Sequence, residues 1–487
     1  MSLKSEGMKG SKWTSLSTLT VSAIQILQLV ILSRILSPVD FGIMGIIQVV
    51  LGFANIYSDA GISNVILARD DLNSKNLSSL YFANLFSGLI VTIILIAAAP
   101  IISFFYNETR LTFPLIMISI VFLIIPFGQQ FQVLFQKNLH FNFLAKIDMI
   151  SNFSGFFVAI ITAVINPNVM SLVYGQMTIS VIKALLLCFY GGRKWRHAFY
   201  FNFNDIKENL AFGAFQIGEK TVHFFSTNID KMIIGKIYGT EVLGFYSFAY
   251  QLIIIPVLKI NPIVTNIAVS LFSRVRNDKD KLKKGYLSIV NYLSVINFPI
   301  YFGFILVAPL FIPLFFGEKW SPAIEIIQIL SLMGLLRSTI SPNTTLTVSN
   351  GRADLGFYWT LITMCSLVPS LYIGSSVNGI IGMCWSLVIG QGLLFILNYF
   401  FIVKRLIGDC LKEYIYSVLK PFLISICMFL VGYFFDNIVI DQTLNLFITI
   451  CISGVFYFFL NLIFNRKISM EFYELLLNKK NKKQVNF

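Results

Sequence analysis

The chain has 487 residues, of which 56% are hydrophobic and 12% are charged, and it contains 48 Phe. A soluble domain carries about a quarter charged residues, so this composition excludes an ordinary soluble protein and points to a multi-pass membrane protein. The net charge of +14 needs no nucleic-acid partner, because the position of the cations along the chain accounts for it.

Apolar runs of about 20 residues, long enough to cross a bilayer as helices, recur from Leu16 almost to Phe464. They predict an all-α protein of about 14 spans, near 11–35, 41–66, 78–105, 112–135, 145–165, 168–190, 209–234, 240–272, 286–316, 321–349, 354–374, 377–403, 414–434 and 443–464. The first run is too long for a signal-peptide core and no small-residue cleavage site follows it, so it is expected to remain as span 1. About 28 of the 37 Lys and Arg residues fall at the N-terminus, in alternate loops and in the tail. About 4 lie at the other face and about 5 within spans. That asymmetry predicts cytoplasmic N- and C-termini. The basic tail Lys479-Lys480-Asn481-Lys482-Lys483 fits it; retention of topology is its expected role, with contact to anionic lipid headgroups the alternative.

The longest expected connections are both cytoplasmic. One runs over 191–208; the other runs over 273–285 and holds Arg274, Arg276, Lys279, Lys281, Lys283 and Lys284. The cysteines Cys188, Cys365, Cys384, Cys410, Cys427 and Cys451 are scattered, without a CxxC pair, and read as small apolar fillers.

A short pattern occurs twice. Arg34-Ile35-Leu36-Ser37-Pro38-Val39-Asp40-Phe41-Gly42 reappears as Lys236-Ile237-Tyr238-Gly239-Thr240-Glu241-Val242-Leu243-Gly244, so that Arg34 and Lys236, or Gly42 and Gly244, stand 202 positions apart. Each copy is a helix end, a cation, a turn, an acid and a glycine. A second echo links Ala99-Pro100 through Phe104-Phe105-Tyr106 to Ala308-Pro309 through Leu314-Phe315-Phe316. The offset contains an even number of spans, so orientation is kept and both turns lie on the outer side. Two parallel six-helix repeats around a central cavity follow: an N-terminal lobe over 1–206, a C-terminal lobe over 207–408, and an extra hairpin with the basic tail over 409–487.

Span 7 carries Gln216, Glu219, Lys220, His223, Ser226, Thr227, Asp230 and Lys231. At about 100° per residue, Glu219, His223, Ser226 and Asp230 fall within roughly 40° of one direction. The repeat offset places Thr14, Ser17, Thr18, Gln25 and Gln28 of span 1 at the equivalent positions, neutral where the second copy is charged. Charges are costly in hydrocarbon, so such strips are expected to face water or another polar helix. Asp59 falls late in span 2, Lys259 midway along span 8 between Pro256 and Pro262, and Arg337 interrupts span 10 before a polar stretch to Thr345. Span 4 adds Gln129, Gln130, Gln132 and Gln136. Lys220, Lys231, Lys259 and Arg337, with Gln25 and Gln28, are the candidate substrate ligands, because an anionic phosphate or uronic acid in a low-dielectric cavity needs a cation. The competing use of the charges is internal pairing, Glu219 with His223 and Asp230 with Lys231; Arg34 and Lys236 suit snorkelling or helix-end carbonyls. Asp59, Glu219 and Asp230 are candidates for a coupling proton or sodium ion, and nothing selects between the ions.

No GxxxxGK[ST], HExxH, GxSxG or Cys/His metal pattern occurs, and of the three histidines His140 and His197 fall in expected cytoplasmic loops. No catalytic constellation, metal site or resident cofactor is expected.

Three passages then carry a family resemblance: Gly10-Ser11-Lys12-Trp13 through Arg34–Gly42 to Asp59-Ala60-Gly61; Phe212-Gly213 through Asn228-Ile229-Asp230-Lys231 to Leu243-Gly244-Phe245-Tyr246; and Phe316-Gly317-Glu318-Lys319-Trp320 through Arg337 to Asn350-Gly351-Arg352-Ala353-Asp354. On these the chain resembles the Wzx-type polysaccharide flippases, in the WzxC-like branch of the multidrug/oligosaccharidyl-lipid/polysaccharide exporter superfamily. The resemblance implies 14 helices in two six-helix lobes, alternating access, and outward transfer of undecaprenyl-diphosphate-linked oligosaccharide across the bacterial cytoplasmic membrane for lipopolysaccharide, capsule or exopolysaccharide. It implies a polysaccharide polymerase and glycosyltransferases as partners. A cation-coupled multidrug or metabolite exporter of the same superfamily is the alternative. A polymerase or acyltransferase would need an outer loop with clustered acids or arginines, and the chain has none.

Overall fold

The computed structural model describes residues 3–465, apart from 60, 70, 196–199, 203, 277 and 436–440. The basic tail and His197 lie outside the described residues. Among the described residues all regular structure is helical. In lipid each spanning segment must satisfy its own backbone groups, and a helix does so with local bonds alone.

Helix α1 (Leu3–Ile35) carries Arg34 in its last turn. Ser37 then starts α2 (Pro38–Ser58) with a reciprocal cap, in which the Ser37 N–H and hydroxyl donate to Asp40 at 2.9 and 2.6 Å. The expected span 41–66 is broken near its end. Gly61 takes φ 75°, α3 (Ile62–Ala68) begins after it, and Asp59 is the C-terminal cap of α2 rather than a residue within a span. Helix α4 (Ser74–Tyr106) ends on Asn107 and is followed by a 3-10 turn, Thr109–Leu111. Then come α5 (Thr112–Ser119), α6 (Val121–Lys137), α7 (Phe141–Ile165) and α8 (Met170–Lys194).

Helix α9 (Asn204–Ile255) is non-helical at Gly239, where φ 82° and ψ −178° divide spans 7 and 8. The kink expected between Pro256 and Pro262 takes the form of a π-helix, Pro256–Ile260, that carries Lys259 and leads into α10 (Asn261–Val275). The expected connection 273–285 is almost entirely helical. Arg274 closes α10, and Lys279, Lys281, Lys283 and Lys284 lie on the first turns of α11 (Lys279–Phe316), which Asp278 caps by accepting the Lys281 N–H at 3.1 Å. The basic residues therefore ride on helix ends, where a side-chain cap replaces a loop.

Gly317 and a 3-10 turn, Glu318–Trp320, end α11 much as Asn107 and its turn end α4, so the second echo marks two like turns. Helices α12 (Ala323–Ile340) and α13 (Pro342–Ser349) part at Ser341, so Arg337 belongs to the last turn of α12 and does not interrupt it. Helix α14 (Ala353–Asn398) is broken at Asn378 and Gly379, and the π-helical Tyr399–Val403 joins it to α15 (Lys404–Ile407). Helices α16 (Leu411–Phe435) and α17 (Gln442–Phe464) complete the described chain.

Among the described residues twelve helical stretches are long and apolar enough to cross a membrane. Two of them, Ile217–Thr265 and Asp354–Ile407, run 49 and 54 residues, about twice the ~20 a bilayer requires. They are the ones broken at Gly239 and at Asn378–Gly379. Taken as two crossings each, they bring the total to the fourteen expected.

The helices form two compact units, Met1–Phe248 with Thr360–Met383, and Ala249–Trp359 with Cys384–Phe487. In the first, α1 packs on α7, α7 on α8, α6 on α8 and α4 on α5 and α6. Phe131, Phe135, Leu144, Ile147 and Leu187 form one of its cores. Both copies of the repeated turn lie in this unit, and they touch each other. A Cβ on Gly42 would stand 1.7 Å from the Thr240 carbonyl oxygen and 3.0 Å from the Gly244 nitrogen. A Cβ on Gly244 would stand 1.9 Å from the Pro38 carbonyl oxygen and 3.2 Å from the Gly42 nitrogen. Pro38 and Thr240 share the same 202-residue offset as Gly42 and Gly244, so the contact is reciprocal and only glycine fits on either side.

In the second unit α11 is the hub, touching α10, α12, α16 and α17. Its core gathers Phe272, Leu282, Tyr286, Val290, Leu293, Val403 and Tyr414. The hairpin α16–α17 docks here. Gly432 lies against Leu306 and the Ser453 hydroxyl, and the Tyr457 hydroxyl donates to the Val295 carbonyl at 2.6 Å. Close packing and such bonds hold membrane helices together, since lipid removes the hydrophobic drive between them.

Candidate functional site

In the first unit the polar strips of α1 and α9 change character along their length. On α1, Thr14 and Gln25 are exposed and Thr18 and Gln28 half-buried, while Leu32 and Ser33 near the repeated turn are fully buried. Gln25 stands ten residues before Ile35, about 15 Å along the helix, and so at mid-span. Leu16, Leu19, Ile26 and Leu27 are also exposed, roughly 100–200° around the same helix from Gln25. One face thus suits lipid and the opposite one water, because an exposed amide at this depth is costly in hydrocarbon.

The second copy behaves the same way. Glu219, Lys220 and His223 are exposed, whereas Ser226 and Asp230, one and two turns nearer the Gly239 break, are each 6% exposed. Asp230 accepts the Tyr246 hydroxyl at 2.5 Å and the Lys231 backbone N–H at 2.8 Å. Tyr246 was not legible as a partner; it lies across the Gly239 turn on the next span. Thr221 reaches the Tyr57 hydroxyl at 3.2 Å, and the rings of Phe53, Tyr57, Phe224 and Phe225 pack at tilted angles between α2 and α9. The side chain of Gln216 lies outside the described residues.

Asp59 sits in a neutral pocket of donors. Its Oδ1 accepts the Gln129 side-chain N–H at 2.7 Å and the Ser63 hydroxyl at 2.5 Å, and the Asn84 amide leads on to Gln129 at 3.4 Å. The glutamine-rich stretch after Pro126 held the signal for this contact, but not its address.

At the repeat crossing, Glu108 accepts two bonds from Arg110 at 2.9 Å and the Thr240 hydroxyl at 3.0 Å. The Arg110 bond, the largest cause, holds the Glu108 carboxyl below its ordinary range. Lys236 donates to the Phe105 carbonyl at 2.5 Å, the helix-end role expected of it, and its ammonium lies over the Phe105 ring.

The second unit carries the other two cations on elements that pack together. The π-helix bearing Lys259 packs on α12, which bears Arg337. Both side chains are half-buried, and Arg337 donates to the Tyr250 hydroxyl at 2.9 Å. The polar stretch that follows Arg337 is different. Ser338 and Thr339 are fully buried and Asn343 is 4% exposed. Asn261 donates to the Ser338 carbonyl and the Ser341 hydroxyl, and accepts from Asn297 at 2.8 Å. Tyr286 donates to Asn343 at 2.8 Å, Asn343 bonds Asn398, and Asn398 reaches Tyr414. This is a ladder of neutral groups bonded chiefly to one another, and most of the stretch is buried, with Thr344 exposed and Ser341 half-buried. An apolar groove of about 300 Å³ between α7 and α8, lined by Val158, Thr162, Tyr174 and Met177 among others, offers no charge for an anionic ligand.

Comparison with known proteins places this geometry in a context. A family model described as "Polysaccharide biosynthesis protein" matches residues 31–325. The chain is similar to the teichuronic acid biosynthesis protein TuaB of Bacillus subtilis (strain 168), at 33% identity over 432 residues and 89% of each chain. It is similar to the lipopolysaccharide biosynthesis protein WzxC of Escherichia coli (strain K12), at 31% identity over 89% of this chain and 88% of that one. Among solved structures, the lipid II flippase MurJ in an inward closed conformation superposes with a TM-score of 0.75 over 95% of this chain and 99% of that one, at 14% identity. The last likeness concerns the fold.

Proposed function

The chain belongs to the polysaccharide biosynthesis protein family, and on that premise we propose that it flips undecaprenyl-diphosphate-linked oligosaccharide from the inner to the outer leaflet of the bacterial cytoplasmic membrane. The observation that carries this reading is the pair of polar strips: Thr14 and Gln25 on one and Glu219, Lys220 and His223 on the other are exposed, Ser17 alone being tucked against the Ala145 carbonyl, while Leu32, Ser226 and Asp230 nearer the repeated turns are buried. A polar headgroup can enter along such a strip from one side only, while its polyprenyl chain stays in lipid. Alternating access requires that asymmetry.

With both termini cytoplasmic, the exposed ends face the cytoplasm and the repeated turns face outward. Lys259 and Arg337 would hold the diphosphate or an acidic sugar, the guanidinium offering a planar fork that matches phosphate. Lys220 and Lys231, with Gln25 and Gln28, would meet the sugars along the strips. Asp59, Glu219 and Asp230 remain the acids for a coupling proton or sodium ion. Of these Asp59 is the one whose carboxylate is bonded by Gln129 and Ser63, both neutral. A polymerase and glycosyltransferases would supply and consume the lipid-linked sugar.

The test is leaflet accessibility of lipid-linked oligosaccharide in cells lacking the protein. Accumulation facing the cytoplasm, relieved by the wild-type chain, supports the reading. Absence of any accumulated lipid-linked sugar removes it and favours an ion-coupled exporter of drugs or metabolites.

A further inference from the structure

We propose that α7 and α8 carry a sugar-reading subsite built on the ion pair of Asp148 and Lys183, an inference that rests on the flippase reading. The Lys183 ammonium lies 2.9 Å from Asp148 Oδ1, and the two side chains remain 31% and 40% exposed. Lys183 stands 13 residues after Met170 and 11 before Lys194, about 16–20 Å from either end of α8. The pair is therefore at mid-span, on helices that the strips of α1 and α9 do not include.

Its direction shows what it faces. On α7 the exposed Ile150, Phe153, Phe157 and Ile161 lie roughly 140–180° around the helix from Asp148. On α8 the exposed Tyr174, Leu185 and Phe189 lie roughly 120–180° from Lys183. The exposed Gln176 and Tyr190 lie instead within about 20° of Lys183. Each helix thus turns its apolar face to lipid and the pair away from it, as the cost of an exposed charge in hydrocarbon requires. Gln176, Lys183 and Tyr190 form a third wet strip in the first unit.

The chemistry of this strip differs from that of a phosphate site. Asp148 cancels the charge of Lys183, and its carboxylate repels a diphosphate. A sugar hydroxyl both donates and accepts. Asp148 accepts, Lys183 donates, and the Gln176 amide does both. Gln176 and Lys183 stand two turns apart, roughly 10 Å along α8, a spacing that matches the row of hydroxyls on a neutral oligosaccharide rather than one compact anion. Stability does not account for the pair. A partly exposed ion pair adds little to a fold, and the two helices are already locked close by: a Cβ on Gly155 would lie 2.7 Å from the Gly175 carbonyl oxygen, and one on Gly175 would lie 2.7 Å from the Ala159 Cβ.

The experiment uses the full chain in vesicles and two probes, undecaprenyl diphosphate bearing the oligosaccharide and undecaprenyl diphosphate bearing none. Asp148→Asn/Lys183→Gln is expected to raise the KM for the first lipid about tenfold, the loss of one charge-assisted hydrogen bond, and to leave inhibition by the bare lipid unchanged. An unchanged KM, or equal weakening of both lipids, overturns the subsite and leaves the flippase reading standing. The swap Asp148→Lys/Lys183→Asp keeps the tie between the helices and should not recover the wild-type KM; recovery would make the pair a helix tie alone. Wild-type protein that transfers no lipid-linked oligosaccharide removes the flippase reading, and the subsite with it. A further measurement needs no substrate. Gln176 and Tyr174 are both exposed and two residues apart. In purified protein in a lipid bilayer, Gln176→Cys should react severalfold faster with a charged thiol reagent than Tyr174→Cys, after subtraction of the labelling of the six native cysteines. Equal rates overturn the subsite.

Discussion

Two regions of this molecule are rich in polar residues at membrane depth, and they use them in opposite ways. The strips of α1 and α9 leave Gln25, Glu219, Lys220 and His223 exposed. The ladder of the second unit buries Asn261, Asn297, Ser338, Asn343 and Asn398 and bonds them chiefly to one another. Polar composition in a span therefore does not mark a water path. What marks it is whether the donors are satisfied within the protein. A buried amide that has its partners costs little, whereas an exposed one at mid-span demands water.

The sharpest break between the two regions is expected in transport. Replacing both Lys259 and Arg337 by Gln should abolish transfer of lipid-linked oligosaccharide in reconstituted vesicles. Wild-type transfer by that protein would remove the pair as diphosphate ligands.

Stability should separate the regions next. Asn261→Leu strips partners from Asn297 and Ser341 in a buried setting, and a loss of about 1–3 kcal/mol is expected from the orphaned groups. Thermal unfolding in detergent measures it, and an unchanged midpoint would mean that water already serves the ladder.

On the exposed strip the same measurement should find much less. Glu219→Gln or Lys220→Gln should change stability by under about 0.5 kcal/mol, as for exposed positions away from a network. A cost equal to that of Asn261→Leu would erase the distinction.

The smallest effect concerns the edge of the ladder's unit. Asp409 accepts the Tyr399 hydroxyl at 2.6 Å and the Lys404 ammonium at 3.2 Å, and the Tyr399 bond, with Lys404 second, lowers its pKa to about 2 from 3.8. A depressed carboxyl stabilises the fold fully above its ordinary value and ceases to do so as pH falls through its folded value. Between pH 3.8 and about 2 the wild type should lose this small contribution. Asp409→Asn should lack that part of the pH dependence, and an identical acid profile for the two proteins would show that the tie carries nothing.

How much of this is legible from residues alone depends on the length scale. The apolar runs determine the spans, because a backbone in lipid has no other donors and acceptors than its own. They also place the turns, so Gly239 and Asn378–Gly379 break helices where spans 7/8 and 11/12 were expected to part. The repeat offset was visible as spacing, and the strip on span 7 as angular periodicity. Local chemistry misled where caps intervened: Asp59 ends α2, and Asp278 turned an expected loop into the start of α11.

Tertiary structure decided the rest. Spacing says that Gly42 and Gly244 are equivalent, but not that they touch; that depends on two helix ends approaching until only a hydrogen fits. Residues that look equally wet in sequence, Gln25 and Asn343, part company because one is exposed at mid-span and the other is buried against Tyr286 and Asn398. Periodicity assigns a residue to a face of its own helix. What stands opposite that face comes from residues up to 202 positions away, and only packing selects them.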